Sequence, residues 1–434
     1  MPGSGGSFQF STSNYVVSES CVPVTITVTR TGSTAGAVDV AYRTNNGGAT
    51  QRGDFTYAAG TLRFGDGETS KTFQVLITDD AYAEGTEGAT IQIVSVSGSN
   101  SVGSPGAATL TIGDNESNDG PNTIDDAANF VCQHYHDFLN RQADASGQSF
   151  WTNQITSCGS DAGCRDAKRT SVSQAFFLSI EFQQTGYFVF RFYRASFPDS
   201  AGRPRGLPRY AEFLRDTQEI QRGVVIGQPG ADAQLEANRQ DFARRWVQRA
   251  DFVAEYPESM TAEQYVDKLF QRSGVTPTTS ERDAAIAAYN SGSDLPDKRA
   301  RGLRSVVDSG SVYNAQYNPA FVLMQYFGYL RRNPNDLPDS SFAGFDFWLT
   351  KMNQFSQPGE DVRNEQVARA RVQRAEMVRS FIVSGEYRDR FGGGANRGND
   401  PNPTPIAAFH SWQDLLDDHF RLNLLAPWDT NLTG

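Results

Sequence analysis

The 434-residue sequence contains no apolar run of the roughly 18 residues that a membrane-spanning helix needs. It also has no surplus of basic residues, because 39 Lys and Arg stand against 50 Asp and Glu, for a net charge of −11. Affinity for nucleic acid comes mostly from cations that neutralise phosphates. These absences predict a protein that neither inserts into a membrane nor binds nucleic acid.

Cysteine is scarce as well, with four residues in the chain. Cys158 and Cys164 lie six apart in a Gly- and Ser-containing loop, which favours a small disulfide over free thiols in an oxidising compartment. Cys21 and Cys132 have no local partner. The four histidines are not spaced to complete a zinc site with Cys158 and Cys164.

Sequence motifs of the common enzyme classes are missing in any fitting context, including G-x-S-x-G, the phosphate-binding P-loop and H-E-x-x-H. His134 and His136 are two residues apart, so on a helix they point to nearly opposite sides and cannot share a metal. We therefore expect a protein that is not an enzyme. A hydrolase that uses a carboxylate pair stays as an alternative, because such a pair leaves no spacing signature.

The first part of the chain has a period of two, which indicates β-strands. Seven runs rich in Val, Ile, Thr and Phe are separated by Gly, Ser, Asn and Asp, and seven short strands within about 110 residues predict a β-sandwich. The predicted strands are 15–18, 22–30, 38–44, 61–64, 72–78, 89–96 and 108–112.

An acidic loop lies between two of these runs. Asp79, Asp80, Glu84 and Glu87 place four carboxylates within nine residues of a strand connection. Oxygen ligands on a flexible loop suit the hard cation Ca²⁺ better than Mg²⁺ or Zn²⁺. The alternative is an acidic loop that is simply solvated.

Several short motifs occur in a fixed order around these strands. They are Val17-Ser18-Glu19, Gly53-Asp54-Phe55, Gly60-Thr61-Leu62-Arg63-Phe64, Ile77-Thr78-Asp79-Asp80 and Thr111-Ile112-Gly113-Asp114-Asn115-Glu116. Over residues 8–117 this set resembles the Calx-β domain, a sandwich found in sodium–calcium exchangers and in bacterial surface proteins. The resemblance implies Ca²⁺ as the bound ion, with ligands at Glu19, Asp54, Asp79, Asp80, Glu84, Glu87, Asp114 and Glu116.

Three positions of the implied site are less acidic than in the exchanger domains, namely Ala81, Gly85 and Asn115. We therefore expect fewer ions and weaker binding, with a structural site filled at extracellular calcium concentrations. The sandwich is assigned to residues 1–117. The polar segment 118–123 that follows is expected to be a hinge, which calcium bound beside it would stiffen.

From residue 124 the apolar period becomes helical, and parts of the sequence repeat. Residues 130–151 match 321–348, and residues 175–182 match 380–387. We predict an all-α domain at 124–392 with related repeats at 124–197, 237–315 and 316–392, and a loop-rich insertion at 198–236. A linker and an amphipathic C-terminal helix are expected in 393–434.

The repeated pattern resembles the bacterial helical repeats known as a domain of unknown function (DUF 4214), which are similar to phycobilisome linker domains. That resemblance implies assembly or attachment. Within each copy we expect one ion pair, Arg141 with Glu181 and Arg332 with Glu386. Asp144 and Asp336 are expected to be N-caps. The aromatic pairs Phe150-Trp151 and Phe347-Trp348 are expected in the core, with sugar stacking as the alternative.

The sequence thus predicts a multidomain protein, an all-β sandwich followed by an all-α repeat domain. The predicted function is a calcium-binding structural or adhesion protein of the bacterial cell surface or extracellular matrix. Its expected partners are other surface or matrix proteins, with glycans as a further candidate. A glycan-binding module and a secreted hydrolase are the alternatives.

Overall fold

The computed structural model describes residues 5–225 and 228–392. The expected C-terminal linker and helix, 393–434, lie outside these ranges. All seven predicted strands are present, and two further short strands, β1 and β8, join them. The strands are β1 Gly6–Phe10, β2 Asn14–Ser18, β3 Pro23–Gly32, β4 Val38–Asn45, β5 Ala59–Phe64, β6 Ser70–Leu76, β7 Glu87–Val96, β8 Ser101–Val102 and β9 Ala107–Gly113.

The strands form two sheets, one in the order β6-β3-β1-β8 and the other in the order β2-β9-β7-β4-β5. Most neighbours are antiparallel, while β2 runs parallel to β9, with Val17 opposite Ile112. Alternate side chains of each strand face inward, as Ile26 and Val28 do in β3. The sandwich therefore has a core of its own between the two sheets.

Residues 124–392 are helical and enclose a second, aromatic-rich core. The insertion 198–236, expected to be loop-rich, contains a full helix, α6, that packs on β5. Among the described residues no helix combines the length and apolar character that crossing a membrane requires. The helices are α1 Ala127–Leu139, α2 Ala145–Thr156, α3 Ala162–Leu178, α4 Ile180–Gln184, α5 Gly186–Ser196, α6 Tyr210–Gln221, α7 Ala231–Trp246, α8 Ala250–Glu255, α9 Ala262–Arg272, α10 Thr279–Asn290, α11 Leu295–Val307, α12 Gly310–Gly328, α13 Ala343–Gln354, α14 Glu365–Ala375, α15 Met377–Ile382 and α16 Gly385–Arg388.

The two ion pairs expected within the repeats are confirmed. Arg141 donates two hydrogen bonds to the carboxylate of Glu181, at 2.7 and 2.8 Å. Arg332 does the same to Glu386, at 2.6 and 2.9 Å. Each pair joins an arginine that follows a long helix to a short helix later in the same copy. A bidentate pair of this kind fixes both distance and orientation.

Other repeat positions behave differently in the two copies. Asp144 caps α2, as expected, by accepting a hydrogen bond from the amide of Gly147. The prediction for Asp336 is wrong, because α13 begins after Phe342 and Asp336 instead accepts from the amide of Asn333. Trp348 is fully buried, whereas Phe150 is 55% exposed and lies outside the core.

Segment 118–123, the expected hinge, is bonded on both sides. Asn122 is buried and donates to the carbonyls of Arg388 and Gly392, while the amide of Gly120 donates to the carbonyl of Ala81. The two halves thus pack directly against each other here. Polar composition predicted a hinge here, but composition could not show that the flanking surfaces are in contact.

Arg331, which follows α12, makes the most extensive of these contacts. Its backbone is left-handed, with φ of 49°, and its guanidinium is fully buried. It donates to the carbonyls of Gln51 and Phe55 and to the hydroxyls of Thr56 and Thr78. One side chain of the helical half therefore bonds two loops of the sandwich.

Two disulfides are present. Cys158 and Cys164 are bonded, as the sequence predicted. Cys21 is bonded to Cys132 across a sequence separation of 111 residues, so the second disulfide joins the β2–β3 loop to α1. Local spacing gave no sign of this pair.

Candidate metal centre

Four segments bring their carboxylates together at one end of the sandwich. Glu19 follows β2, Asp54 lies in the β4–β5 loop, the acidic loop joins β6 to β7, and the last two acids follow β9. In a sandwich, loops that leave the sheets at the same end are neighbours in space. The residues placed there are Glu19, Asp54, Asp79, Asp80, Glu84, Glu87, Asp114 and Glu116.

Six of these residues form two tight groups. Carboxylate oxygens of Glu19, Asp114 and Glu116 lie within 4.8 Å of one another. Those of Asp54, Asp80 and Glu84 form a second group with the same spread. Distances of this size allow several oxygens to contact one cation.

Burial and mutual repulsion make these carboxyls hard to ionise. Burial, with smaller contributions from Asp54, Glu116 and Glu84, raises the pKa of Glu19 from 4.5 to about 8. Burial, followed by Asp54 and Glu84, raises the pKa of Glu87 to about 8 as well. Burial raises the pKa of Asp80 well above its ordinary value, and the charge of Glu19 adds to this effect.

The pKa values of Glu116, Asp79 and Asp54 are raised as well. Burial, then a hydrogen bond with Asp114, raises the pKa of Glu116 to about 7. Burial also raises the pKa of Asp79 and of Asp54, and in the case of Asp54 the charge of Arg331 partly offsets it. A nearby positive charge lowers a carboxyl pKa, so this cluster has less cationic charge than its carboxylates need.

Hydrogen bonds within the site hold its loops in place. Glu19 accepts from the amide of Asp80 at 3.2 Å, and Asp80 accepts from the amide of Tyr82 at 2.8 Å. Asp114 accepts from the amides of Gly85 and Glu116, at 2.6 and 2.7 Å. The acidic loop is therefore tied to both of the segments that flank it.

The helical half closes the other side of the acidic loop. Asn129 of α1 donates to the carboxylate of Asp79 at 2.8 Å, and the hydroxyl of Thr123 donates to the carbonyl of Asp79, also at 2.8 Å. Tyr82 is buried and donates to the carbonyl of Asp389. The carboxylate cluster thus lies at the junction between the two halves of the protein.

The residues present fit a calcium ion. All the donors are carboxylate oxygens, which Ca²⁺ prefers, and they come from loops able to adjust their spacing. One oxygen of Glu116, Oε2, is buried without a hydrogen-bond partner. A buried oxygen left unpaired is costly unless a cation or another donor satisfies it.

Sequence reasoning missed the contributions of Asn129 and Arg331. A signal for Arg331 did exist, because the equivalent position in the first copy is Asn140, with the same φ of 49°. A charged residue in one copy at a position that is neutral in the other suggests a contact specific to that copy. His134 bonds to Ser173, and His136 bonds to Gln142 and lies beside the Cys21–Cys132 disulfide.

Comparison with protein families gives two adjacent matches. Residues 3–116 match the model of the Calx-beta domain, and residues 117–185 match that of a domain of unknown function (DUF4214). The second match covers the first predicted copy only up to α4. Neither of these is a family of enzymes.

Individual relatives cover a small part of the chain. Adhesion G-protein coupled receptor V1 of Danio rerio is 35% identical over 89 residues, which are 20% of this chain and 1% of that protein. The apo-form Calx CBD1 domain is 28% identical, covers 26% of this chain and 99% of its own, and has a TM-score of 0.25. The calcium binding domain CBD12 of CALX1.1 is 29% identical over 25% of this chain and 45% of its own, with a TM-score of 0.24.

The matched order agrees with the order predicted from the sequence. A two-sheet β-sandwich comes first and a helical region follows, as the strands and helices above show. The chain therefore matches the Calx-beta domain over residues 3–116 and, directly after it, the DUF4214 domain over residues 117–185.

Proposed function

We propose that this protein binds calcium at the sandwich end that faces the helical half. The ligands come from the eight carboxylates named above, chiefly from the two groups that converge within 4.8 Å. The observation that supports this most strongly is the electrostatic one. Buried carboxyls whose neighbours are other carboxyls gain most from a divalent cation, which supplies the charge that they lack.

Calcium has a structural task in this proposal. A bound ion removes the repulsion between the segments at 19, 54, 79–87 and 114–116, and so holds the end of the sandwich that meets α1. The protein then acts as a rigid, non-enzymatic spacer or adhesion element, at the bacterial surface or in the extracellular matrix. The match to a Calx-beta domain and the two disulfides both agree with such a location.

Calorimetric titration of the full chain with calcium chloride tests the binding. The matched pair of variants is Asp80→Asn, which changes the buried middle of the cluster, and Asp66→Asn, which changes an acid at the opposite end of the sandwich. We expect Asp80→Asn to weaken binding at least tenfold. Asp66→Asn should leave the dissociation constant unchanged.

A thermal melt gives a second measurement. Calcium at a hundredfold excess over its Kd adds about 2.7 kcal/mol to the stability of the folded state. We expect a higher melting temperature in millimolar calcium than in chelator for the wild type. Equal melting temperatures, together with no heat of binding, would refute the proposal.

The glycan-binding alternative has one observation in its favour. Phe150 is 55% exposed on α2, next to the half-buried Trp151, and an exposed ring could stack on a sugar. A glycan array probed with wild type and with Phe150→Ser separates the two cases. Binding that disappears in the variant would support this alternative.

A cavity of about 530 Å³ in the helical half bears on the hydrolase alternative. Asp125, Asp126 and Asp166 line it. Asp125 is paired with Arg388, which lowers its pKa, and Asp126 caps α1. Asp166 is paired with Arg379. These carboxylates have structural partners, so the cavity does not favour a catalytic acid pair.

A further inference from the structure

The Cys21–Cys132 disulfide lies between the carboxylate cluster and α1. Cys21 comes two residues after Glu19, in the short connection from β2 to β3. Cys132 lies on α1, three residues after Asn129, which bonds to Asp79. The same helix thus holds two of the ligand-bearing segments, one through a covalent bond and one through a side-chain amide.

Further contacts hold the segment of Glu19 on the sandwich side. The amide of Glu19 donates to the carbonyl of Gly113 at 2.7 Å, and its carboxylate accepts from the amide of Asp80. On the helical side, the amide group of Gln142 donates to the carbonyl of Cys21 at 3.1 Å. Loss of the disulfide alone would therefore loosen this segment without detaching it.

We propose that calcium binding is redox-sensitive, because the Cys21–Cys132 disulfide holds the segment of Glu19 and the junction in the calcium-binding arrangement. The inference rests on the proposed function. Cys21, Asn129 and Arg331 are positioning residues in this scheme, since each acts on the site through a segment that carries a ligand. Calcium affinity is high when the disulfide is formed and lower when it is broken.

The chemistry needs a dithiol reductant. A thiolate of the reductant attacks the sulfur of Cys21, which is the less buried of the two cysteines, and the S–S bond breaks. The second thiol of the reductant then closes its own disulfide and releases Cys21. Two electrons and two protons pass to the protein, which gains two thiols.

Thermodynamic linkage makes the coupling between calcium binding and disulfide formation reciprocal. If the disulfide raises calcium affinity by a given factor, calcium must favour the disulfide over the dithiol by the same factor. Typical couplings between sites correspond to about 5- to 150-fold. Because several hydrogen bonds remain after reduction, we expect the lower part of this range, about five- to tenfold.

Titration of the full chain with calcium chloride, before and after reduction with dithiothreitol, is the test. The double variant Cys21→Ser/Cys132→Ser removes the same bond without a reductant. The matched control is Cys158→Ser/Cys164→Ser, since the hydrogen bonds of this second pair stay within α2, α3 and the loop between them. We expect the Kd for calcium to rise about five- to tenfold for the reduced wild type and the first double variant, and not for the control.

A second measurement distinguishes a disulfide that positions the calcium ligands from one that only stabilises the fold. The melting temperature in chelator reports the stability of the calcium-free protein, and the shift on adding calcium reports the coupling. If the disulfide only stabilises the fold, its loss lowers both melting temperatures equally and leaves the Kd unchanged, and that result would overturn the proposal. So would an equal loss of affinity in the control variant.

Failure of the proposed function gives a different result. If the oxidised wild type shows no heat of calcium binding, the calcium site itself is wrong. If it binds calcium with the same Kd in both redox states, and calcium leaves the midpoint of a dithiothreitol redox titration unchanged, only the redox coupling is wrong. If the first double variant does not fold, the reduced wild type and this titration still decide the question.

Discussion

The sandwich end and the helical half both contain buried carboxylates, in opposite electrostatic surroundings. Asp137 of α1 lies between Arg331 and Arg390, and although burial acts against it, these two cations lower its pKa. Asp216 of α6 lies between Arg249 and Arg215, and its pKa falls to about 2. At the sandwich end, burial and then the charges of other carboxyls raise the pKa values of Glu19 and Glu87 to about 8.

The comparison shows that an acidic residue in the interior does not by itself indicate a metal site. What distinguishes the two regions is the counter-charge. In the helical half arginine supplies it as part of the fold, so these carboxylates contribute to stability. At the sandwich end the chain supplies less positive charge than the carboxylates carry, which is where an ion from solution has the greatest effect.

Removing the charge of Asp137 is expected to have the largest effect. In Asp137→Asn the guanidinium groups of Arg331 and Arg390 stay buried without their carboxylate, so the free energy of unfolding should fall by about 3–5 kcal/mol. Chemical denaturation measures this. The control Asp166→Asn changes an exposed pair with Arg379 and should stay within about 0.5 kcal/mol of wild type. Equal effects of the two variants would contradict the distinction.

The two repeat ion pairs should differ in strength. Glu386 is fully buried and accepts from Arg332 and also from Arg52 of the sandwich, whereas Glu181 accepts from Arg141 alone among the arginines bonded in the described chain. We expect Glu386→Gln to destabilise the protein by about 3 kcal/mol and Glu181→Gln by about 1.5 kcal/mol. Denaturant midpoints of both variants measure this. A larger loss for Glu181→Gln would show that the sandwich contact of Glu386 adds nothing.

The raised pKa values at the sandwich end predict a pH dependence with a definite sign. Burial, together with the neighbouring carboxylates, raises the pKa values of Glu19 and Glu87 in the folded protein from 4.5 to about 8. The folded state thus binds more protons than the unfolded state between these values. The contribution of these two carboxyls to the free energy of unfolding is fully present below about pH 4.5 and is lost as the pH rises through about 8.

In chelator, therefore, the melting temperature should fall between about pH 5.5 and pH 8.5. Calcium should abolish most of that fall, because it stabilises the ionised carboxylates in place of protons. Glu87→Gln removes one of the titrating groups and should flatten the fall, while Asp66→Asn should not. A melting temperature that rises over this range in chelator would contradict the assignment of raised pKa values.

The smallest effect is expected at the surface of the first repeat. Phe150 is 55% exposed, so Phe150→Ser should change the free energy of unfolding by less than about 0.5 kcal/mol. In the third copy, Trp348 occupies the position equivalent to Trp151, the neighbour of Phe150, and it is fully buried. Trp348→Ala should cost about 3–5 kcal/mol. A large loss of stability in Phe150→Ser would mean that the aromatic pair of the first copy is buried as it is in the third copy.

The sequence predicted those features that repeat or alternate. The strand pattern gave the sandwich, and the self-similarity of the helical half gave the pairs Arg141–Glu181 and Arg332–Glu386 before any contact was known. The resemblance to the Calx-β domain assigned Glu19 and Asp54 to one site with the acidic loop. Asp54 does converge with Asp80 and Glu84, and Glu19 accepts a hydrogen bond from the amide of Asp80. The calcium itself stays a prediction.

The features that were missed depend on contacts between residues far apart in the chain. Nothing near Cys21 points to Cys132, because a disulfide across 111 residues depends on how the two halves dock. Arg331 was missed because its acceptors lie on loops of the sandwich that are far away in the sequence. The helix α6 was missed because the proline- and arginine-rich stretch before it suggested a loop.

The parallel pairing of β2 with β9 has a consequence for synthesis of the chain. β2 is synthesised second, but it cannot pair in its sheet until β9, the last strand, has been synthesised. Cys21 cannot form its disulfide until Cys132 has been synthesised as well, 19 residues after Gly113. Chain growth from the N-terminus therefore delivers the whole sandwich sequence before its crosslink to α1 becomes possible. The Cys21–Cys132 bond therefore forms when the completed sandwich contacts α1, the first helix of the next domain.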